Sequence, residues 1–267
     1  MTCVKKGDDD MSMNNELLKD SIKRFCWALN VNRTVNRKKY SDLVKVCSKY
    51  SRCFIVGTGP SLTKEDLHKL DNECLFVSNR FVMYGDEFHP VAYFCQDSTV
   101  LENLLGDINN YQSAKYKLLN SYILRLNNRI NKSANTIFYN VNRKRYIKGM
   151  PPTFSEKLLD YADGYTVTYS MIQAAVALGF KEIYLLGIDF NYQMSADGKV
   201  DDNLSYSKEL NTKFKVGSPN MDYNLQAYME AQRYCTNKGI SIFNATRGGK
   251  LEVFDRVNLD DVVKGEL

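Results

Sequence analysis

Glycine and polar residues follow five apolar runs of this sequence, at points where the strands of an α/β protein would end. The sequence has GTGPS after CFIV, SNR after CLFV, QDS after VAYFC, GIDFNY after EIYLL and NATRGGK after SIF. Such residues suit a ligand with phosphate oxygens, hydroxyls and a base edge, such as a nucleotide or a sugar nucleotide. Turns favour the same residue types for backbone reasons. The prediction of a ligand site therefore rests on the coincidence of five such ends.

The turn after the first run begins like a dinucleotide-binding loop and then departs from that pattern. Gly57 and Gly59 supply the first two glycines, but Leu62 stands where a third is expected. The second run ends at Asn79 rather than at a ribose-binding acid, and the sequence has no GxxxxGK[ST] motif. These departures disfavour a nicotinamide enzyme and exclude a P-loop. We expect Ser61 to cap the next helix or to bind an anion. The residues expected to hold a nucleotide here are Gly57, Thr58, Gly59, Ser61 and Asn79.

Three residues are candidates for catalysis. Asp97 and Asp189 each follow an apolar run, where a carboxylate is unfavourable unless it is paired or bound to a ligand. The alternative for Asp189 is a cap on the next turn. Tyr192 could donate a hydrogen bond to a leaving phosphate, with packing as the alternative in a chain of 18 tyrosines.

Alternating strand and helix patterns predict an α/β fold with a Rossmann-like, mostly parallel sheet and helices on both faces. The predicted strands are CFIVG, CLFVSN, VAYFCQD, TIFYNV, EIYLLGIDF and SIFNAT. The predicted helices are LTKEDLHKL, opened by Thr63 with Asp66 three residues later, and stretches near 99–109, 154–161, 168–178 and 223–238. Ligands of such sheets bind outside the carboxyl ends of the strands, where the candidate residues lie.

The first 49 residues form a predicted N-terminal helical appendage, and residues 50–267 form the predicted nucleotide-binding domain. Apolar residues recur at helical spacing over about 15–30 and 38–49, on either side of the basic link NRTVNRKK. We expect the appendage to pack on the domain. A partner or membrane contact through the basic residues is the alternative.

Composition narrows the class of protein. The 267 residues are 44% hydrophobic and 25% charged with a net charge of +5, and basic residues do not cluster with aromatic ones, so nucleic acid is not an expected partner. Seven cysteines without a CxxC pair, and two histidines, predict reduced core cysteines and no metal site. No segment approaches the ~20 apolar residues of a membrane span. We expect a cytoplasmic protein, with peripheral contact at the inner face of the membrane as the alternative, and a homo-oligomer is compatible with the sequence.

Five blocks of the sequence resemble a known family. FIVGTGPSL, FVSNR, YFCQD, TVTYSMIQAAVALGFKEIYLLGIDFNY and GISIFNATRGGKLEVF look like the bacterial and archaeal proteins labelled 6-hydroxymethylpterin pyrophosphokinase-like. The resemblance runs over about residues 52–263. Many bacterial members of this kind belong to surface-glycan assembly, where no pterin chemistry is expected.

The same blocks are similar, more distantly, to the family 42 sialyltransferases of bacterial lipooligosaccharide synthesis, which are metal-independent and use a CMP-activated sugar. Their G-x-G-P-S-L loop falls on 57–62, and their nucleotide-contacting asparagine falls on Asn79. Their threonine and serine segment falls near Thr166 and Thr168, and their GIDF on 187–190, which includes Gly187 and Asp189. Their phosphate-assisting tyrosine falls on Asn191 or, with a shift of one, on Tyr192.

The resemblance implies a glycosyltransferase that moves a sugar from a nucleotide donor, with CMP favoured, to a glycan acceptor and needs no cofactor. The family's histidine base has no counterpart in TKFKVGSPNMD, where Gly217 lies near the aligned position, so Asp97 becomes the candidate base. Two alternatives stay open. One is an ATP-dependent 6-hydroxymethylpterin diphosphokinase with Mg²⁺, and the other is a nucleotide-binding protein without catalysis.

Overall fold

A nine-stranded parallel sheet forms the centre of the molecule in a computed structural model that describes residues 33–121, 130, 131, 133–142, 152–191, 193, 194, 200, 201 and 220–266. The sheet strands are β1 Cys53–Val56, β2 Cys74–Ser78, β3 Ala92–Cys95, β4 Tyr116–Asn120, β5 Thr136–Asn142, β6 Asp160–Ala162, β7 Glu182–Leu186, β10 Ser241–Asn244 and β11 Asp255–Arg256. A separate antiparallel pair consists of β8 Gln193–Met194 and β9 Val200–Asp201.

Helices cover both faces of the sheet, as the sequence predicts. They are α1 Arg33–Cys47, α2 Lys64–His68, α3 Ser98–Asn103, α4 Leu105–Asn110, α5 Val167–Ala177, α6 Met221–Asn237 and α7 Leu259–Lys264, with a 3-10 helix at Asn79–Tyr84. Apolar side chains of α1, α5 and α6 pack on one face. Those of α2, α3, α4 and α7 pack on the other. The α/β, Rossmann-like fold is thereby confirmed.

The strand order places one reversal of direction in the middle of the sheet. The order is β11-β10-β7-β1-β2-β3-β4-β5-β6, and every neighbouring pair is parallel. The chain builds outward from β1 to β6, and α5 then returns it so that β7 pairs with the other side of β1. In an open parallel sheet such a reversal opens a crevice at the carboxyl ends of the two strands. A ligand crevice is therefore expected at the ends of β1 and β7.

Helix α5 is buried along most of its length because it lies between the sheet and α6. Its residue Gln173 accepts hydrogen bonds at Oε1 from the backbone N–H groups of Ser155 and Ala162, each at 2.9 Å, and donates to the Ala162 carbonyl at 2.9 Å. These bonds hold residues 155–162 in a non-helical path that ends in β6. The helix predicted near 154–161 is therefore wrong.

Helix α1 packs on the sheet through Asn36, Tyr40 and Leu43. The Asn36 side chain donates to the Phe138 carbonyl at 2.7 Å and accepts from the Phe138 N–H at 3.0 Å. Tyr40 and Leu43 are buried in the core. This helix matches the second helix of the predicted appendage, whereas the one near 15–30 lies outside the described residues. The boundary at residue 49 stays a prediction.

The five cysteines in the described part of the chain are buried and free, as predicted for core residues: Cys47, Cys53, Cys74, Cys95 and Cys235. Cys3 and Cys26 lie outside it. Among the described helices, none combines the length and apolar character that a membrane crossing requires.

Candidate functional site

Two hydrogen bonds join the loop after β1 to the loop after β7. The Gly57 N–H donates to the Leu186 carbonyl at 2.8 Å, and the Gly59 N–H donates to the Gly187 carbonyl at 2.9 Å. These bonds continue the β1–β7 ladder beyond the ends of both strands. The predicted nucleotide turn and the GIDF segment therefore lie side by side at the crevice.

Close contact between these loops requires glycine on both sides. A Cβ atom on Gly57 would lie 2.5 Å from the Gly187 carbonyl oxygen, and a Cβ on Gly59 would overlap the Asp189 carboxylate. Gly187 has a φ of +65° and faces Leu62. Leu62 itself is buried in the core. Gly57 and Gly59 therefore leave room for the loop after β7. Leu62 anchors the turn at the position where a dinucleotide-binding loop has its third glycine.

The Ser61 side chain forms a hydrogen bond with the carboxylate of Asp189. Its hydroxyl donates to Asp189 Oδ2 at 2.8 Å. Burial raises the pKa of Asp189, and the hydrogen bonds from Ser61 partly oppose that rise. Of the two roles expected for Ser61, the cap is wrong, because Thr63 caps α2: its Oγ1 accepts from the Asp66 N–H, and its own N–H donates to the Asp66 side chain, which completes a capping box. Asp189 therefore joins the two crevice loops.

The loop after β10 forms a further wall against the GIDF segment. The Ile188 N–H donates to Thr246 Oγ1 at 3.1 Å, and the Lys250 N–H donates to the Asp189 carbonyl at 2.7 Å. Gly249 has a φ of +74°, and a Cβ there would lie 2.6 Å from the same carbonyl oxygen. Three strand ends, those of β1, β7 and β10, are thus in direct contact.

Asn79 lies at the carboxyl end of β2, next to β1 in the sheet. Its φ of +51° places it in the left-handed region. The Tyr93 hydroxyl donates to its carbonyl at 2.8 Å, and the Cys95 thiol donates to its Oδ1 at 3.7 Å. Two residues of β3 therefore hold Asn79 in an uncommon backbone conformation at the edge of the crevice.

Asp97 is exposed at the end of β3 and caps α3. Its Oδ1 accepts from the Thr99 N–H at 2.8 Å and from the Val100 N–H at 3.1 Å. These bonds stay within α3, and neither joins Asp97 to the loops after β1 and β7. The structure thus places Asp97 three strands away from Asp189, with β1 and β2 between β3 and β7.

Thr166 and Thr168 begin α5 and connect to the crevice through α6. Thr166 is the N-cap and accepts from the Thr168 N–H at 3.3 Å. Burial raises the pKa of Tyr228, and hydrogen bonding with the two threonines opposes that rise. The Tyr228 ring packs edge-on against Phe190, 5.8 Å between centroids. Tyr192, the third catalytic candidate, lies outside the described residues.

A buried polar network at the ends of β3, β4 and β6 was missed from the sequence. Gln96 Nε2 donates to Asp163 Oδ1 at 3.2 Å, and Gln96 Oε1 accepts from the Ser170 hydroxyl at 2.6 Å. Asn120 donates to the Gln96 carbonyl at 2.9 Å. The QDS segment is the local signal for this region, but it is Gln96, not the candidate Asp97, that joins the network.

In the described part of the chain, the side chains are not arranged to bind magnesium. Within it, no group of three or more His, Cys, Asp and Glu side chains converges as a metal site would require. Asp189 is hydrogen-bonded to Ser61, and Asp97 uses an oxygen as a helix cap. The described residues therefore do not fit a magnesium centre at this edge of the sheet.

Residues 26–195 match the family described as 6-hydroxymethylpterin diphosphokinase MptE-like. The chain belongs to that family. The match begins within the predicted appendage and contains β1 to β7 with both crevice loops, and it confirms the resemblance seen in the sequence blocks.

Two solved structures are similar to the chain, both of the sialyltransferase CstII from Campylobacter jejuni. The one in complex with the substrate analogue CMP-3FNeuAc has a TM-score of 0.43 and 17% identity, and the match covers 78% of this chain and 86% of that one. The one in complex with cytidine-5'-monophosphate has a TM-score of 0.42 and 17% identity, covering 79% and 87%. No curated protein matches the sequence.

Proposed function

We propose that this MptE-like protein is a glycosyltransferase that binds a nucleotide-activated sugar in the crevice between β1 and β7. CMP is the favoured nucleotide, and the favoured process is bacterial surface polysaccharide or lipooligosaccharide synthesis. The observation that carries the proposal is the direct contact of the GTGPS and GIDF loops at the strand-order reversal. Backbone at such a place can approach a nucleotide closely.

The nucleotide-binding roles fall to strand ends around the crevice. Gly57 and Gly59, whose N–H groups donate to the loop after β7, would shape the nucleotide turn, Thr58 would present its backbone to the nucleotide, and Ser61 would keep Asp189 in place. Asn79, held by β3, offers an amide rather than a carboxylate, which suits a single nucleotide better than the ribose contact of a dinucleotide. Thr166, Thr168 and Gly187 would complete the pocket.

In the proposed reaction the acceptor hydroxyl attacks the anomeric carbon of the donor sugar. The bond from that carbon to the phosphate oxygen breaks, and the nucleotide leaves with the bonding electrons. Asp97 would take the proton of the hydroxyl, and Tyr192 would donate a hydrogen bond to the leaving phosphate. Groups positioned in advance at the developing charges lower the barrier to such a transfer.

The substitution Asp97→Asn tests the proposed role of Asp97 as a base separately from its role as the N-cap of α3. Asparagine is as good an N-cap as aspartate, so the melting temperature and nucleotide affinity should stay unchanged. Loss of the base should lower the rate of CMP release from a CMP-sugar with acceptor by about 10²–10⁴-fold. Asp107→Asn, an exposed aspartate of α4, is the matched control. Equal activity of the Asp97 variant would remove Asp97 from the mechanism.

The family match favours a second function, that of an ATP-dependent 6-hydroxymethylpterin diphosphokinase. Calorimetric titration with CMP, a CMP-sugar, ATP and 6-hydroxymethylpterin, each with and without Mg²⁺, distinguishes the two. The glycosyltransferase proposal expects CMP compounds to bind without Mg²⁺. Binding of ATP and pterin with Mg²⁺, and of no CMP compound, would establish the second function. CMP binding without turnover of any CMP-sugar would indicate a protein that binds nucleotide without catalysis.

A further inference from the structure

Tyr165 is an exposed aromatic residue in the connection from β6 to α5. It is 44% exposed, whereas every other tyrosine and phenylalanine in the described part of the chain is buried or half-buried. Its neighbours are less accessible, since residues 161–164 are buried and Thr166 is half-buried. An aromatic ring that is accessible in such surroundings offers a flat apolar surface to a ligand.

The direction of α5 places Tyr165 at the carboxyl edge of the sheet. Strands β6 and β7 belong to one parallel sheet, so the helix that connects them runs back from the carboxyl edge to the amino edge. The helix packs over β1, β2 and β3. Tyr165 precedes its first residue by two positions and therefore lies at the edge where the crevice is expected.

Contacts on either side of Tyr165 locate it more closely along this edge. On one side, the Asp163 carboxylate accepts from Gln96 at the end of β3. On the other side, the N-cap of α5 hydrogen-bonds with Tyr228, whose ring packs against Phe190 in the loop after β7. Strands β1 and β2 lie between β3 and β7. Tyr165 is therefore close to the strand ends that carry the predicted nucleotide turn and Asn79.

Three buried side chains hold Tyr165 in an unfavourable backbone conformation. Its φ of +57° lies in the left-handed region, which is uncommon for an aromatic residue. Its N–H donates to Asp163 Oδ1 at 2.8 Å, and Asn224, with its amide nitrogen turned to the Tyr165 carbonyl, donates to it at 3.2 Å. Its ring packs edge-on against Tyr223, 4.5 Å between centroids. Glycine or asparagine would adopt this φ at lower cost, so the ring and not the backbone accounts for a tyrosine here.

We propose that Tyr165 is the aromatic surface against which the base of the nucleotide stacks. This inference rests on the proposed function, because it requires a nucleotide in the crevice. Stacking uses the flat face that every base has, so it adds affinity without choosing among bases. Asp163 is then a positioning residue, because it fixes the backbone of Tyr165 and connects it to Gln96.

Tyr165→Asn tests the ring separately from the backbone. Asparagine adopts a left-handed conformation more readily than tyrosine, so the melting temperature should stay close to that of the unchanged protein. The affinity for CMP, measured by calorimetric titration, should fall by about tenfold or more because the stacking surface is lost. Tyr165→Phe keeps the ring and should bind CMP like the unchanged protein. A residue that only supports the fold would lower the melting temperature together with the affinity.

Leu158→Asn is the matched control. Leu158 is 45% exposed and precedes β6 instead of following it, so its replacement should leave the affinity for CMP unchanged. Ribose 5-phosphate, which has no base, is the matched ligand, and Tyr165→Asn should not change its affinity. The inference is overturned if Tyr165→Asn binds CMP like the unchanged protein, if Tyr165→Phe loses as much affinity as Tyr165→Asn, or if ribose 5-phosphate loses as much as CMP.

Titration of the unchanged protein with CMP and with ATP separates this inference from the proposed function. If ATP binds and CMP does not, the favoured nucleotide is wrong, and the same variants are compared with ATP, since adenine also has a flat face. If neither nucleotide binds, both proposals fail. If CMP binds and Tyr165→Asn has no effect, this inference alone fails.

Discussion

Gly59 and Asp189 show at the scale of single residues how the two crevice loops depend on each other. The φ of Gly59 lies outside the left-handed region, so space and not backbone conformation requires glycine there. The space in question holds the Asp189 carboxylate, which the Ser61 hydroxyl also reaches at 2.8 Å. A side chain at residue 59 would therefore separate the loops.

Gly59→Ala should destabilise the protein by about 1–3 kcal/mol, because the added methyl group overpacks the contact with Asp189. The same change should abolish CMP binding if the joined loops form the nucleotide site. Gly106→Ala is the control, since a Cβ there meets no atom within 4 Å. Alanine in that helix should stabilise the protein by up to about 1 kcal/mol. Urea denaturation measures both effects, and a Gly59 variant as stable as the unchanged protein would contradict the interpretation.

Asp189 should make stability depend on pH. Its folded-state pKa is raised above the usual 3.8 by burial. For an acid with a raised pKa the stabilising contribution is fully present below the unfolded pKa and is lost as the pH rises through the folded pKa. Asp189→Asn removes this loss. Its free energy of unfolding should therefore rise relative to that of the unchanged protein across the pH range above the usual aspartate pKa of 3.8. Urea denaturation across that range measures the difference, and parallel profiles would contradict it.

At the scale of elements, α1 completes a sheet edge that β6 leaves open. β6 pairs with β5 only from Asn140 onward. Two residues earlier, the Asn36 amide supplies both a donor and an acceptor to the backbone of Phe138. One side chain of the predicted appendage thereby satisfies backbone groups of β5 at the edge that β6 leaves open.

Asn36→Ala should lower the free energy of unfolding by about 1–3 kcal/mol, because it leaves buried backbone groups of Phe138 without partners. Lys38→Ala, an exposed residue of the same helix, should change it by less than about 0.5 kcal/mol. Chemical denaturation compares the two variants. Similar small effects would mean that α1 does not contribute to the stability of the sheet.

Local sequence pattern predicted the elements whose environment is simple and missed those fixed by distant residues. The buried runs of β1, β2, β3 and β7 and the helix α5 follow directly from apolar pattern and caps. β4 was missed because YKLLN carries a lysine, and Lys117 is buried only because its ammonium donates to the carbonyls of Ile108 and Tyr111. The segment leading to β6 was assigned as helix because the bonds from Gln173 are not visible in local pattern.

The residues of the candidate site also fall into two groups, those that local sequence pattern predicts and those that only distant contacts bring together. Gly57, Gly59 and Gly187 stood out because glycines after apolar runs are a local signal. The Ser61–Asp189 contact joins residues 128 apart in sequence. The Gln96 network spans four elements. Such contacts follow from strand order, which one sequence does not determine.

At the scale of the whole molecule, the single reversal of strand order determines where the proposed nucleotide site lies. The two crevice loops, the Asn79 edge and the wall from β10 all lie at the carboxyl ends of neighbouring strands, β10-β7-β1-β2. We propose that a nucleotide, with CMP favoured, binds at this one place.

A crystal structure of the protein grown with CMP tests that claim most directly. The account predicts CMP between the ends of β1 and β7, with its phosphate against the backbone of residues 57–61 and its nucleoside within hydrogen-bond distance of Asn79. CMP bound elsewhere, or crystals at saturating CMP with an open crevice and no nucleotide in it, would contradict the account.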